Sequence, residues 1–147
     1  MELKRAAFLD LASVHRDDLD LTALEAAVPE WLWFDKIQAD KLISVLSNVD
    51  VVVSNKVILN KEVLQHASHL KLICIAATGT NNVDLKAATK RGVVAMNTPS
   101  GNTTSTAEHT MSLILSLTRN IPQACASMKS GKWDRTKFSG VELHGKQ

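Results

Sequence analysis

Leu70-Lys71-Leu72-Ile73-Cys74-Ile75-Ala76-Ala77-Thr78-Gly79-Thr80-Asn81-Asn82-Val83-Asp84 is the stretch that decides the fold. Its first half, Leu72 to Ala76, is a short and nearly unbroken apolar run. A strand covered on both faces reads this way, as in a parallel sheet sandwiched by helices. The second half switches to small polar residues, Ala77 to Asn82. Gly79 lets the backbone turn tightly and approach a ligand. Thr78, Thr80, Asn81 and Asn82 place donors and acceptors beyond the strand's carboxyl end, where open α/β sheets bind their ligands. An ordinary strand-to-helix turn accounts for the same residues, with Asn81 or Asn82 capping the helix that holds Leu85, Ala87 and Ala88.

Upstream of this stretch, strands alternate with helices. Ala6-Ala7-Phe8-Leu9, Trp31-Leu32-Trp33-Phe34 and Asp50-Val51-Val52-Val53 read as strands. Leu19, Leu21, Leu24 and Val28 recur at helical spacing, and Pro29 ends them. Asp35 is a candidate cap for the helix of Leu42, Val45 and Leu46, and Val63, Leu64 and Ala67 mark another. Downstream, Asp84 to Lys90 is a short helix closed by Gly92. Val93-Val94-Ala95-Met96 is then a fifth strand, ending at Asn97-Thr98-Pro99. Five strands joined through helices by short polar turns predict a flavodoxin-like, doubly wound parallel five-stranded sheet, an α/β domain over residues 1–98.

The character changes after Pro99. Ser100 to Thr104 is hinge-like, and Ser105-Thr106-Ala107-Glu108 matches a capping box, with Asn102 a rival cap. The helix so begun is expected to run to Arg119, before Pro122. Ala107, Met111, Ile114 and Leu115 form one apolar stripe, and Leu113 and Leu117 add a second. A helix apolar on two faces needs cover on two sides, from a second domain or a partner subunit. Ala124, Met128 and Trp133 continue in a shorter amphipathic piece.

Composition narrows the function. The 147 residues carry a net charge of +2, with Lys and Arg scattered among Asp and Glu, which is no nucleic-acid footprint. No apolar run reaches the roughly 18 residues of a membrane span, and the N-terminus lacks the pattern of a signal peptide. Two cysteines, Cys74 and Cys125, make no disulfide framework, so a cytoplasmic location is expected. Cys74 reads as a buried apolar residue and not a nucleophile. His66 and His69 lack a carboxylate or thiol to complete a metal set, and His109 beside the apolar stripe reads as structural or interfacial. None of the six glycines forms a Gly-x-Gly-x-x-Gly loop. What remains are the strand ends Ser54-Asn55-Lys56, Ala77-Thr78-Gly79 and Asn97-Thr98, which parallel strands deliver to one edge. Amides and hydroxyls to orient a small carboxylate, and one ammonium for charge, suit an organic acid. Three solvated turns are the plainer alternative.

Ala76-Ala77-Thr78-Gly79-Thr80-Asn81-Asn82-Val83-Asp84-Leu85, Val93 to Pro99, and Thr106-Ala107-Glu108-His109 with its helix resemble the D-isomer-specific 2-hydroxyacid dehydrogenases, an NAD(P)-dependent family. The likeness extends over essentially the whole chain. It implies a flavodoxin-like substrate domain over 1–98 and the start of a Rossmann domain over 99–147, in which the 105–119 helix packs against its copy in a homodimer. It places Ser54, Asn55, Lys56, Ala77, Thr78 and Gly79 at the substrate, and Thr78 and Thr106 at the NAD or NADP cofactor. It also implies that the family's glycine-rich loop and its catalytic Arg, Glu and His lie beyond the matched residues, so the chain reads as a truncated dehydrogenase, inactive alone.

Within the family, Asn97-Thr98-Pro99, Ile121-Pro122-Gln123 and Ser127-Met128-Lys129 through Lys132-Trp133 are most similar to 3-phosphoglycerate dehydrogenases. Phe8 to Leu85 is nearer to glycerate dehydrogenases, which are also hydroxypyruvate reductases. The phosphoglycerate enzymes carry phosphate-gripping arginines where this chain has Ser54-Asn55 and Ile75, and Lys does not easily replace them. That favours an unphosphorylated 2-hydroxy or 2-keto acid such as glycerate or hydroxypyruvate. Phosphoglycerate, with Lys56 compensating, is the runner-up, and a non-catalytic dinucleotide-sensing relative is a third reading.

Overall fold

The structure, a computed structural model, describes residues 2–134 and 136–146. Its chain divides into two compact units, residues 1–101 and 102–147. The first unit is built on five four-residue strands: β1 (Arg5–Phe8), β2 (Glu30–Trp33), β3 (Val51–Ser54), β4 (Leu72–Ile75) and β5 (Val94–Asn97). They pair in the order β2-β1-β3-β4-β5, every pair parallel. All five carboxyl ends therefore share one edge. The order reverses between β1 and β3, the switch point at which such sheets open a crevice.

Burial follows from strand composition. β3 is Val-Val-Val-Ser and buried along its whole length, as a central strand covered on both faces must be. One face of the sheet, with Ala7, Leu9, Val52, Ile73 and Ile75, packs against Leu42 and Leu46 of α2 (Ala39–Leu46), Leu64 of α3 (Lys61–Leu64) and Ala88 of α4 (Leu85–Lys90). The opposite face carries a smaller cluster of Ala6, Val28 and Val51, flanked by Leu3, Trp31, Leu72 and Cys74. Trp31 and Trp33 stack there with centroids 4.8 Å apart. Cys74 is half-buried, and burial pushes its thiol pKa up, so it stays protonated.

Helix ends depart from the sequence expectations in instructive ways. The helix expected across Leu19 to Val28 is a single turn, α1 (Thr22–Glu25). Leu19 stays outside it, about half exposed. Asp35 does not cap α2, whose N-cap position is Gln38. Neither Asn81 nor Asn82 caps α4. The cap is Asp84, whose carboxylate accepts the Ala87 amide at 2.9 Å. Gly92 closes that helix at φ +71°, a left-handed conformation that glycine adopts without strain.

In the second unit, α5 (Thr103–Thr118) begins two residues before the expected capping box. Asn102 holds the N-cap position, and Ser105 and Glu108 lie inside the helix. The Ser112 hydroxyl donates to the Glu108 carbonyl at 2.8 Å. Helical hydrogen bonding thus extends past the capping-box pattern, because Thr103 and Thr104 carry no breaker. After α5, Asn120 turns the chain at φ 52° into α6 (Ile121–Lys129), where Pro122 sits in the first turn that tolerates it. The segment after α6 folds back onto the end of α5: the Val141 amide donates to the Thr118 carbonyl at 2.8 Å. A Cβ on Gly140 would collide with that same carbonyl and come within 2.9 Å of the Arg119 Cα. No helix among the described residues is long and apolar enough to cross a membrane.

Candidate functional site

The carboxyl edge of the sheet is built by strand endings held in place by one another. β1 runs into Asp10, a carboxylate only 4% exposed. Its Oδ1 accepts the Asn55 amide at 2.9 Å and its Oδ2 accepts the Lys56 amide at 2.6 Å. These charge-assisted bonds fix the loop that follows β3. The Asn55 side chain reaches back to Ser13, donating to its Oγ at 3.1 Å. Ser54 is fully buried, and its hydroxyl accepts the Val57 amide at 3.1 Å. That hydroxyl is thus used inside the loop and does not face a ligand.

The turn after β4 is braced from both neighbours. Asn97 at the end of β5 donates its Nδ2 to the Thr78 carbonyl at 2.7 Å. The Thr98 amide donates to the Ala77 carbonyl at 3.0 Å, and the Thr78 hydroxyl to the Thr98 carbonyl at 3.3 Å. On the other side, Asn82 Nδ2 donates to the carbonyls of Val57 (3.2 Å) and Asn55 (3.4 Å). The Leu59 amide donates to the Asn82 carbonyl at 2.8 Å, and Leu59 and Val83 form a parallel bridge. The loops after β3 and β4 are therefore one hydrogen-bonded body. Among the described residues, the amides of Ala77 and Gly79 donate to no other group of the protein. Amides displayed on a rigid turn can accept a carboxylate oxygen. Gly79 has no positive φ, and an added Cβ would meet only Asn81 Oδ1, at 3.0 Å. Glycine there is needed for room at the turn's surface and not for an unusual backbone angle.

The candidate residues thus divide. Ser54, Asn55, Lys56, Ala77, Thr78 and Gly79 share one sheet edge on adjacent strands, with Thr78 and Gly79 exposed. Thr106 belongs to the other unit, on α5, where its carbonyl accepts the Thr110 hydroxyl at 2.7 Å. Lys56 is exposed and, among the described residues, makes no ion pair. Its side chain lines a cleft of about 400 Å³ at the switch point, together with Asp10, Ser13, Asp35, Lys36 and Val57. No residue of the Thr78–Gly79 turn lines that cleft. Asp10 is the organising residue that the strand-end pattern did not single out. An acidic residue just after an apolar run at a predicted sheet edge was the available signal for Asp10. Among the described residues no cluster of His, Cys, Asp or Glu could hold a metal.

A parallel sheet with braced polar strand ends on one edge defines the class: an α/β domain whose polar strand ends gather at its carboxyl edge. The family model for the catalytic domain of D-isomer-specific 2-hydroxyacid dehydrogenases matches residues 8–139, and the chain belongs to that family. The D-3-phosphoglycerate dehydrogenase of Archaeoglobus fulgidus is 51% identical over 96 residues, covering 65% of this chain and 18% of that protein. The human D-3-phosphoglycerate dehydrogenase is 45% identical over 111 residues, 75% of this chain and 21% of that one. The chain thus spans about a fifth of the length of these relatives. Among solved structures, an acyclic imino acid reductase in complex with NADPH and D-Arg superposes with a TM-score of 0.81 at 19% identity, over 95% of this chain and 45% of that one. The D-lactate dehydrogenase of Aquifex aeolicus, complexed with NAD and lactic acid, gives 0.76 at 22% identity, over 94% and 41%. These two likenesses show the fold. The family's nicotinamide cofactor is represented in both complexes.

Proposed function

We propose that this chain is the acid-binding portion of an NAD(P)-dependent D-3-phosphoglycerate dehydrogenase. The observation that carries the reading is the set of relatives bearing that name at 41% to 51% identity across 65% to 78% of the chain. The expectation of glycerate or hydroxypyruvate, drawn from Ser54-Asn55 and Ile75, is displaced to second place by those relatives. One structural fact still favours it. Ile75 is 2% exposed and Ser54 fully buried, so neither position offers a phosphate a partner. In either reading the amides around Ala77 to Gly79 hold the substrate carboxylate, and Lys56 supplies charge. Thr78 and Thr106 are assigned to the nicotinamide side.

When bound, the dinucleotide supplies the hydride chemistry. Among the described residues no glycine-rich loop joins a strand to a helix to cradle a pyrophosphate. The donors at the carboxyl edge fit an acid and not the dinucleotide's phosphates, so no hydride step is assigned to this chain, which alone should turn over no NADH. We also assign residues 105–119 to a homodimer contact. Met111, Leu113, Leu115 and Leu117 of α5 are 42% to 76% exposed in the single chain, a patch that water penalises. Sedimentation of the pure chain reports on this directly: a species of twice the 16.0 kDa chain mass is expected, and a monomer at high concentration would contradict the contact. Calorimetric titration separates the two substrates. The phosphoglycerate reading predicts tighter binding of D-3-phosphoglycerate than of D-glycerate or hydroxypyruvate, and the reverse order would establish the unphosphorylated acid.

A further inference from the structure

Beside the carboxyl-edge loops, a groove of about 290 Å³ runs between α3 and α4, lined by Lys61, Gln65, Asp84, Lys86, Ala87, Lys90 and Arg91. Three lysines and an arginine from two elements line it, beside a single carboxylate. That carboxylate, Asp84, is engaged at the helix start by the Ala87 amide. None of the four cations makes an ion pair among the described residues, although the chain as a whole is nearly balanced at +2. Lys86 and Lys90 stand one turn apart on α4, an i,i+4 pair of like charges that costs helix stability when nothing lies between them. The walls are rigid. Leu64 and Ala88 anchor the two helices in the core, and Arg91 Nη2 donates to the Ala67 carbonyl at 3.1 Å, tying the end of α4 to the segment after α3.

We propose that this groove binds a compact oligophosphate anion, either inorganic pyrophosphate or the diphosphate of a nucleotide, as a site separate from the carboxyl-edge loops. Ammonium groups recognise phosphoryl oxygens as point charges, without the planar match that a single carboxylate selects. Three lysines and an arginine around so small a volume exceed what one carboxylate anion would neutralise.

Amide-resolved NMR titration of the whole chain at low ionic strength tests the site, with pyrophosphate, ADP and adenosine as separate probes. The site predicts saturable shifts at Lys61, Lys86, Lys90 and Arg91 with pyrophosphate and ADP, and none with adenosine. ADP binding more tightly than pyrophosphate would identify a nucleotide as the source, and the reverse would identify the free anion. The double variant K86E/K90E is expected to lose at least about tenfold in affinity, since it turns two attractions of about 1 kcal/mol each in water into repulsions. The control K41E, a charge reversal on α2 with the same change in sign, should lose less than about twofold. Equal losses in the two variants, shifts confined to the carboxyl-edge loops, or no saturation by 10 mM would each overturn the site.

Discussion

Replacing Asp10 by Ala removes the carboxylate on which the loop after β3 is hung. Two amides lose their acceptor, Asn55 at 2.9 Å and Lys56 at 2.6 Å, and Asp10 itself is 4% exposed. Hydrogen bonds to charged groups contribute about 1.5–3 kcal/mol each, so the two together set a ceiling near 6 kcal/mol. Asn55 is half-buried and Lys56 exposed, so water can reach the freed amides and recover part of that. A loss of about 3 kcal/mol is the expected net effect. Urea unfolding at pH 7 measures it, with the slope against denaturant unchanged if only native-state contacts are lost. Hydrogen exchange should locate the damage at the amides of residues 55 and 56. Asp10→Asn keeps one acceptor oxygen and should fall between the parent and Asp10→Ala. A loss below about 1 kcal/mol, or unchanged exchange at those two amides, would refute the claim that Asp10 holds the loop.

Asn97→Ala cuts the 2.7 Å bond to the Thr78 carbonyl, so it should loosen the turn after β4 and weaken acid binding several-fold while costing only about 1 kcal/mol of stability, as calorimetry and urea unfolding would report. Stability should also fall in acid through Asp50. The Lys71 ammonium at 2.6 Å, and behind it the Lys4 and Arg5 amides, hold the Asp50 carboxyl at about 2 against its ordinary 3.8. Its pKa is depressed by folding, so its contribution is complete above about pH 4 and is lost as pH falls toward 2. Full conversion gives about 2.5 kcal/mol. Screening by water around the Lys71 side chain, 35% exposed, reduces that to about 1 kcal/mol. Asp50→Asn should therefore narrow the difference in unfolding free energy between pH 7 and pH 2.5, and an unchanged difference would count against the pair.

The sheet was legible because apolar runs over Ala6 to Leu9, Val51 to Val53 and Leu72 to Ile75 admit only buried parallel strands once helices separate them. Each strand falls within a residue of its expected place. Helix ends were less legible. Ser105 and Glu108 spell a capping box, yet the threonines ahead of them continue the helix, since local capping energy is about 1 kcal/mol and easily outweighed. The edge location of the candidate site followed from strand direction alone. Its bracing did not, because the bonds of Asp10 to residues 55 and 56 and of Asn97 to Thr78 join residues tens of positions apart, and no local pattern encodes them. Ser54 shows the same limit from the other side: a hydroxyl at a strand end looks available in sequence and is spent on Val57 in space.

Acid binding at the turn after β4 is the property on which the proposed function rests. Backbone-resolved NMR of the pure chain titrated with D-3-phosphoglycerate, at concentrations into the millimolar range expected for an isolated binding portion, tests that directly. Saturable shifts centred on the amides of Ala77, Thr78 and Gly79, spreading to Asn55 and Lys56, are the predicted result. Saturable shifts that bypass those residues, or none with any 2-hydroxy acid, would contradict it.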